Sequence, residues 1–172
     1  MNIILTGFAS SGKSTTAGAI CGRTGRIHVD LDRAIEGRYE RKHGSRASCR
    51  EIFKDVGKDG WAELENDALR SLSNMRNSVL STGGRTPLCE ENRVILKSLG
   101  TVIYLKCGVG AVLQRMKRKG IPASIGSTPE EVEAEWLLRD PIYTALADMI
   151  IENEKLTPAE TAIAILDRMP MP

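Results

Sequence analysis

The residues best suited to chemistry stand near the start of the chain, where Gly7 to Thr15 reads Gly-Phe-Ala-Ser-Ser-Gly-Lys-Ser-Thr. The spacing G-x-x-x-x-G-K-[ST] is typical of a loop whose backbone N–H groups surround phosphate oxygens. The apolar run 2–6 before it predicts a buried strand, and the residues after it can continue as a helix. Because a helix N-terminus attracts anions, this order of elements predicts a binding site for the phosphates of a nucleotide.

Individual roles follow from the side chains of this loop. Lys13 can reach the β- and γ-phosphates, and the hydroxyl of Ser14 can bind Mg²⁺. The alternative is an ordinary Gly/Ser turn that happens to carry a lysine, and the complete motif argues against it. The residues expected to contact ATP are Ser10, Ser11, Gly12, Lys13, Ser14 and Thr15.

Two carboxylates, Asp30 and Asp32, follow a second short strand pattern at 27–30. At positions i and i+2 of a strand end, the two side chains point the same way. Phosphoryl transfer needs a bound metal ion and an acceptor hydroxyl placed in line with the phosphate. One carboxylate could therefore hold the metal while the other orients the hydroxyl or accepts its proton. The alternative is that Asp32 caps a helix beginning at residue 33.

Composition indicates an ordinary globular protein. The 172 residues are 41% hydrophobic and 27% charged, which fits one domain spanning 1–172. A net charge of +2 gives no reason to expect a nucleic acid or a membrane surface as partner. The chain has no apolar run long enough to cross a membrane and no signal-peptide pattern, so we expect a cytoplasmic protein. The four cysteines lack metal-binding spacing, which predicts reduced thiols.

Strand and helix patterns alternate along the chain. Further strands are predicted at 78–81, 101–105 and 148–151, and helices at 15–24, 33–42, 48–55, 61–72, 87–99, 109–118 and from Pro129 and Pro158 onward. A turn is expected at 57–60. This alternation predicts a parallel sheet with helices on both faces. Ligands of such sheets bind at the carboxyl ends of the strands, so Asp30, Asp32, Gly83 and Gly84 should meet the phosphate loop in one crevice.

Several elements together resemble the shikimate kinase family. They are the phosphate loop, Asp30 to Glu36, Ile52-Phe53 with Gly57 and Glu65, Thr82-Gly83-Gly84, and Arg139-Asp140-Pro141-Ile142-Tyr143, in register over nearly the whole chain. The resemblance implies a three-layer α/β P-loop kinase fold with a five-stranded parallel sheet in the order 2-3-1-4-5, helices on both faces and a lid. It also implies that ATP with Mg²⁺ phosphorylates the 3-hydroxyl of shikimate, a step of aromatic amino acid biosynthesis.

The resemblance assigns roles residue by residue. It implies that Ser14 and Asp30 serve Mg²⁺, that Lys13 and Asp32 are catalytic, and that Asp32 holds the acceptor hydroxyl. The other roles are contact of Gly83 and Gly84 with the substrate, pairing of Arg139 with the substrate carboxylate, and packing of Arg115 along the adenine. The substrate-binding segment is expected at about 32–62 and the lid at about 118–128.

Three positions depart from the family pattern. Ala62 stands where the family has a second carboxylate-binding arginine, Ile121 stands where it has a lid arginine, and Arg85 replaces the third loop glycine. In one interpretation, the lost charges have moved. Replacements are then available at Arg85, in the basic segment 37–50 with Arg38, Arg41, Arg46 and Arg50, and beside the lid at Lys117, Arg118 and Lys119. The simpler view of the basic segment is a solvated helix face.

The other interpretation is a change of acceptor. The sequence predicts an ATP-dependent kinase acting on a small anionic alcohol, with shikimate as the first choice of acceptor. The alternatives are a related kinase for a sugar acid or a nucleoside, and a nucleotide-binding protein without kinase activity. Asp32 and Arg139 argue against the last, because a pure nucleotide binder needs neither. The expected partners are ATP and the substrate, and we expect a monomer with no nucleic acid or membrane bound.

Overall fold

A computed structural model describes residues 1–122, 125–126 and 128–169, without the side chains of residues 118 and 119. Among these residues it contains five strands and seven α-helices. The strands are β1 (Ile3–Thr6), β2 (Ile27–Asp30), β3 (Ser78–Ser81), β4 (Thr101–Lys106) and β5 (Met149–Glu152). The helices are α1 (Lys13–Thr24), α2 (Leu31–His43), α3 (Cys49–Ser71), α4 (Glu90–Leu99), α5 (Val109–Lys119), α6 (Pro129–Leu146) and α7 (Pro158–Leu166).

The five strands form one parallel sheet in the order β2-β3-β1-β4-β5. This is the order that the family resemblance implied, and it is confirmed. The central strand β1 is buried at all four positions, which explains its uninterrupted apolar sequence. Because all five strands run the same way, the loops after β1, β2 and β3 leave the sheet at one edge, where the predicted crevice lies.

Helices cover both faces of the sheet. On one face, Ile20 of α1 and Ile165 of α7 pack against Leu5 and Ile103 of the sheet. On the other, α2, α3 and α4 contribute buried residues that include Ile35, Leu69 and Leu96. A third apolar cluster lies around Phe8 of the phosphate loop, Tyr104 of β4 and Tyr143 of α6. The three-layer α/β architecture predicted from the sequence is therefore confirmed.

Two predicted boundaries differ in extent from the structure. The break expected at 57–60 is present, since Gly57 leaves helical geometry at φ 70° and divides α3 into two helical stretches, but it is one residue long and the chain is helical again by Gly60. The single helix expected over 87–99 is a short 3₁₀ turn, Thr86–Leu88, followed by α4. Cys89 separates the two with an extended backbone. Gly57 and Pro87 each marked a real irregularity of the backbone. In both places the irregular stretch differs in length from the one predicted.

The predicted helix starts at Pro129 and Pro158 are confirmed, and Thr128 and Thr157 cap the two helices. Each threonine accepts a hydrogen bond from the backbone three residues on, and Glu131 or Glu160 returns a bond to the cap backbone. The same box at Ser48 with Glu51 opens α3. No helix among the described residues has the length and apolar content needed to cross a membrane. The four cysteines carry no disulfide.

Candidate active site

The phosphate-binding loop has the geometry that its glycines predict. Gly7 and Gly12 adopt φ values of 145° and 94°, which other residues rarely reach. A Cβ on Gly7 would also lie 2.7 Å from the carbonyl oxygen of Leu105. Gly12 precedes the first residue of α1, so the loop's N–H groups lie at a helix N-terminus. The backbone thus forms an anion site between β1 and α1.

Lys13 lies folded back over this loop. Its ammonium donates hydrogen bonds to the carbonyl oxygens of Gly7 (2.9 Å) and Phe8 (2.8 Å), and the side chain is almost fully buried. Burial lowers the pKa of Lys13 to about 8, although Asp32 and Asp30 oppose this effect. The buried cation is therefore still mostly charged at neutral pH and is available to phosphate oxygens.

Ser14 and Asp30 face each other across the mouth of the loop. The Ser14 hydroxyl donates to Asp30 Oδ2 at 3.2 Å, and Ser81 of β3 donates to the same oxygen at 3.1 Å. Hydroxyl and carboxylate oxygens are the ligands that Mg²⁺ prefers, and Mg²⁺ usually takes only one or two from the protein, with phosphates and water completing its shell. The donor set therefore fits the ion. The described residues contain no cluster of three or more His, Cys, Asp or Glu side chains that could hold a metal.

Asp30 also caps α2, because its Oδ1 accepts hydrogen bonds from the backbone N–H groups of Asp32 and Arg33. Two expectations are corrected by this. Asp32 is not the cap of a helix that begins at 33, because α2 already begins at Leu31. Asp32 is also not at a strand end, because it lies in the first turn of this helix. A helical first turn, and not strand alternation, presents its carboxylate to the crevice.

Asp32 is an exposed residue in the first turn of α2, and neighbouring groups of the crevice still surround its carboxylate in part. Burial and the neighbouring charge of Asp30 raise its pKa, while Lys13 lowers it. A Cβ placed on Gly83 would lie 3.3 Å from Asp32 Oδ1, so the loop after β3 passes directly beside this carboxylate. A carboxylate with a raised pKa accepts a proton more readily than one in water. Its position and basicity suit a group that orients an acceptor hydroxyl.

Gly83 and Gly84 bring the loop after β3 against the phosphate loop. A Cβ on Gly84 would lie 3.3 Å from the backbone nitrogen of Ala9. The hydroxyl of Tyr143 on α6 donates to the Gly84 carbonyl oxygen. Two loops and one helix are thus fixed to one another at this point, which places the predicted substrate loop beside the predicted phosphate site.

Glu65 is a buried carboxylate of the crevice whose role the sequence did not predict. It is 4% exposed and accepts hydrogen bonds from Thr86 (2.7 Å) and Asn92 (3.1 Å). Burial raises its pKa to about 7, with Asp32 adding to the rise and Arg85 opposing it. The available signal was its spacing, since Glu65 precedes the buried Ala68 and Leu69 by three and four residues and so lies on the inner face of α3.

Arg85 follows the two glycines and points its charge into the crevice. Its charge lowers the pKa of both Glu65 and Tyr143, so it lies near the two side chains. The basic segment 37–50 is placed differently. Arg46 pairs with Glu40 at 3.0 Å and is 89% exposed, and Arg38 faces Asp67 of α3 at 3.9 Å. These pairs match the solvated helix face that was the simpler expectation.

Arg139 of α6 is 1% exposed, and its guanidinium carbon lies 5.3 Å from the centre of the Phe8 ring. Its charge lowers the pKa of Lys13, which places the two cations in the same crevice. Glu135, one helical turn earlier, forms an ion pair with Arg139. The spacing i, i+4 is the sequence signal for this pair, and the sequence reasoning did not use it.

A cavity of about 380 Å³ opens beside the phosphate loop, towards the last helix. Arg115 crosses it and donates to the carbonyl oxygens of Ser10 (3.1 Å) and Asn153 (3.5 Å). Further residues that the sequence did not predict line it, namely Asn153, Leu156, Pro158 and Thr161. Leu156 and Pro158 offer apolar contacts and Arg115 offers a guanidinium plane, a combination that suits a flat aromatic base.

A larger groove of about 490 Å³ between α2 and the start of α3 lacks every residue of the phosphate loop. Its charged groups already bind one another, as Arg33 and Glu36 do at 3.2 Å. We therefore assign the site to the crevice and not to this groove.

The predicted lid, about 118–128, is described only in part. Residues 123, 124 and 127 lie outside the described residues, as do the side chains of Arg118 and Lys119. Ile121 and Ile125 pack against the apolar cluster around Phe8 and Tyr104. Ile121 therefore supplies an apolar contact where the family pattern has an arginine.

The sheet order, the phosphate-binding loop and the carboxylate beside it define a P-loop kinase for small molecules. The chain belongs to the shikimate kinase family, since the family model for shikimate kinase matches residues 9–170. As a member, it is an ATP-dependent kinase that acts on a hydroxyl group. The family predicted from the sequence motifs is confirmed.

Relatives and solved structures agree. The shikimate kinase of Chromobacterium violaceum is 37% identical over 154 residues, covering 88% of this chain and 80% of the relative. That of Geobacter sulfurreducens is 35% identical over 154 residues, covering 88% of this chain and 81% of the relative. The solved structure of shikimate kinase from Acinetobacter baumannii in complex with shikimate superposes with a TM-score of 0.86 at 31% identity, covering 96% and 90% of the two chains.

Proposed function

We propose that this protein transfers the γ-phosphate of ATP, with Mg²⁺, to a hydroxyl group of shikimate. The observation that carries the proposal is that Asp32 and Arg139 both lie close enough to Lys13 to shift its pKa. An ammonium, a carboxylate and a guanidinium thus share one crevice, which supports their proposed roles toward the phosphates, the acceptor hydroxyl and an acceptor carboxylate. The solved relative from Acinetobacter baumannii is a complex with shikimate.

The reaction needs positioning and charge neutralisation more than covalent chemistry. Lys13 leaves its two carbonyl partners for the phosphate oxygens and neutralises charge on the migrating group. Ser14 and Asp30 hold Mg²⁺, which supplies further neutralisation of the phosphate charge when bound. Asp32 accepts a hydrogen bond from the acceptor hydroxyl and directs the oxygen lone pair at the phosphorus. Gly83 gives the acceptor room beside Asp32, because any side chain there would meet that carboxylate.

The acceptor carboxylate is held by Arg139 and Arg85 in this proposal. Ala62, at the position of the family's second carboxylate-binding arginine, is an exposed residue of α3. Arg85 stands in the loop beside Glu65, one turn further along the same helix, and beside Tyr143. A guanidinium from the loop therefore serves in place of one from the helix. On the nucleotide side, we propose that Arg115 packs along the adenine and that a lid at about 118–128 closes over the phosphates. We also propose that the protein is a monomer and is located in the cytoplasm.

The test is ADP release from ATP and Mg²⁺ with shikimate, compared with a panel of sugar acids, polyols and nucleosides. We expect shikimate to give the highest kcat/KM, and product analysis should show one phosphate on the acceptor. ADP release that no panel member stimulates would contradict the proposed activity. Omitting Mg²⁺ in the presence of a chelator should abolish turnover.

A kinase with another acceptor is the second candidate, and two positions favour it. Ala62 is exposed but carries only a methyl group, and Ile121 is packed among apolar side chains. Neither side chain can therefore bind an anion. Loss of a charge-assisted hydrogen bond to the acceptor weakens its binding free energy by about 1.5–3 kcal/mol, which is about one to two decades of affinity. A sugar acid or nucleoside with a higher kcat/KM than shikimate in the same panel would select this candidate.

A further inference from the structure

Arg139, the residue expected to bind the acceptor's carboxylate, already has a negatively charged neighbour in the protein. Its side chain is 1% exposed, enclosed by the Phe8 ring and Tyr143, and it already forms an ion pair with Glu135. The charge of Glu135 also raises the pKa of Tyr143, so this carboxylate lies near the side chain whose hydroxyl donates to the Gly84 carbonyl oxygen. A carboxylate of the chain itself thus stands beside the arginine that is expected to take the acceptor's carboxylate.

The Glu135 side chain has an inner and an outer part. Its Oε2 atom, which contacts Arg139, is fully enclosed, while the side chain as a whole is 29% exposed. An exposed pair of this spacing contributes little to stability. Here the guanidinium is buried, so an opposite charge is needed to offset the cost of removing it from water. Glu135 therefore neutralises Arg139 as long as no acceptor is bound.

An incoming carboxylate must share Arg139 with Glu135. Two carboxylates at one guanidinium repel each other, and this cost falls on every carboxylate that contacts Arg139, including that of the acceptor. A neutral analogue that lacks the carboxylate does not bear the cost. The arrangement therefore lowers the affinity of the site for carboxylates and leaves its affinity for neutral analogues unchanged.

We propose that Glu135 sets the affinity of the acceptor site for carboxylates, because its own carboxylate competes with the acceptor's carboxylate for Arg139. The proposal rests on the proposed function, in which Arg139 holds that group. Glu135 makes no contact with the phosphate loop's anion site or with Asp32 among the interactions of the described residues. It therefore acts on acceptor binding and leaves the phosphoryl-transfer step unchanged.

The first experiment compares the wild-type enzyme with Glu135→Gln, using shikimate and its methyl ester as acceptors. We expect the KM for shikimate to fall about tenfold in the variant, because the competing charge is gone while the side-chain shape remains. The kcat should stay within about twofold. The KM for the ester should not fall, because the ester carries no charge to compete. Glu133→Gln, an exposed change of the same charge on α6, is the matched control and should change neither KM.

An unchanged or higher KM for shikimate in Glu135→Gln would overturn the proposal, because Glu135 would then only hold Arg139 in place. Equal changes for shikimate and its ester would overturn it as well. If Glu135→Gln fails to fold, Glu135→Asp replaces it. The shorter carboxylate should lower the KM for shikimate by a smaller factor.

A second measurement separates this inference from the proposed function. Calorimetry measures the binding of benzoate, a simple ring carboxylate, to the wild-type protein and to Glu135→Gln, both saturated with a non-hydrolysable ATP analogue. Tighter binding to the variant supports competition at Arg139 even if shikimate proves not to be the acceptor. Equal binding overturns the competition, whatever the acceptor is.

Discussion

The nucleotide half and the acceptor half of the crevice are built in different ways. The phosphate site comes from one continuous stretch, Gly7 to Thr15, and relies on backbone N–H groups at the start of α1. The acceptor side is assembled from side chains of α2, α3, α6 and the loop after β3. Asp32, Glu65, Arg85 and Arg139 reach it from four separate elements.

This difference determines which part of the crevice can vary in sequence while the protein remains a P-loop kinase. A phosphate site made of backbone tolerates little variation, because its glycines hold conformations that other residues avoid. A site made of side chains can exchange one charged residue for another at a new position. The three departures from the family pattern, Ala62, Arg85 and Ile121, all lie on the acceptor side or in the lid. The departures from the family pattern thus leave the phosphate-loop sequence intact and fall where the proposed acceptor contacts lie.

The largest effect is expected for Asp32→Ala. Removing the carboxylate that orients the acceptor hydroxyl should lower kcat by about 10³-fold, as for a lost general base. Because the change lies on the acceptor side, ATP binding measured by calorimetry should stay nearly the same. Asp59→Ala, an exposed change on α3, is the control. Normal turnover by Asp32→Ala would remove the proposed acceptor role.

The next effect tests whether Arg85 has taken over from the missing helix arginine. Arg85→Ala should raise the acceptor KM about 10- to 100-fold, because a charge-assisted hydrogen bond is lost. Adding Ala62→Arg to this variant should recover part of the loss by restoring a guanidinium on α3. Arg41→Ala, in the exposed basic segment, is the control and should leave KM unchanged. An unaltered KM in Arg85→Ala would mean that this arginine does not replace the family's clamp.

A pH profile tests the nucleotide half through Lys13, whose pKa is lowered to about 8 by burial. The ammonium is mostly charged at pH 7 and mostly neutral at pH 9, so kcat/KM for ATP should fall about tenfold between pH 7 and 9. Lys13→Arg keeps its charge and should give a flat profile at a lower rate. A wild-type profile without a fall near pH 8 would contradict the charge role of Lys13.

Stability should move in the opposite direction over the same range. Lys13 has an ordinary pKa of 10.5 when unfolded, so between pH 8 and 10.5 the unfolded chain binds more protons at this site than the folded one. The contribution of Lys13 to the free energy of unfolding therefore rises with pH. Thermal denaturation at pH 7 and 9 separates the loss of activity from unfolding.

The smallest effect is expected for Arg115→Ala. Its guanidinium crosses the cavity beside the phosphate loop, where loss of a stacked cation should raise the KM for ATP about fivefold. The acceptor KM should not change, because Arg115 is on the nucleotide side. A change in both KM values would show that the two halves are less separate than the structure indicates.

Much of this architecture could be predicted from the sequence. The strand–loop–helix order around Gly7 to Thr15, the sheet order implied by the family and the helix starts at Pro129 and Pro158 are all confirmed. These features depend on neighbours within a few residues or on a motif shared by the family. The break predicted at 57–60 is present at Gly57, where φ is 70°, but it spans one residue and the helix resumes at once.

By itself, the sequence determined the phosphate site and the alternation of strands and helices. Glycine positions, apolar runs and caps act locally, and local energies can be recognised from neighbouring residues. Only the tertiary structure decided that Glu65 is buried beside Arg85, and that Arg139 is buried in the same crevice as Lys13. Those outcomes depend on which charges share a region of low dielectric, and that is fixed when separate helices pack against one sheet.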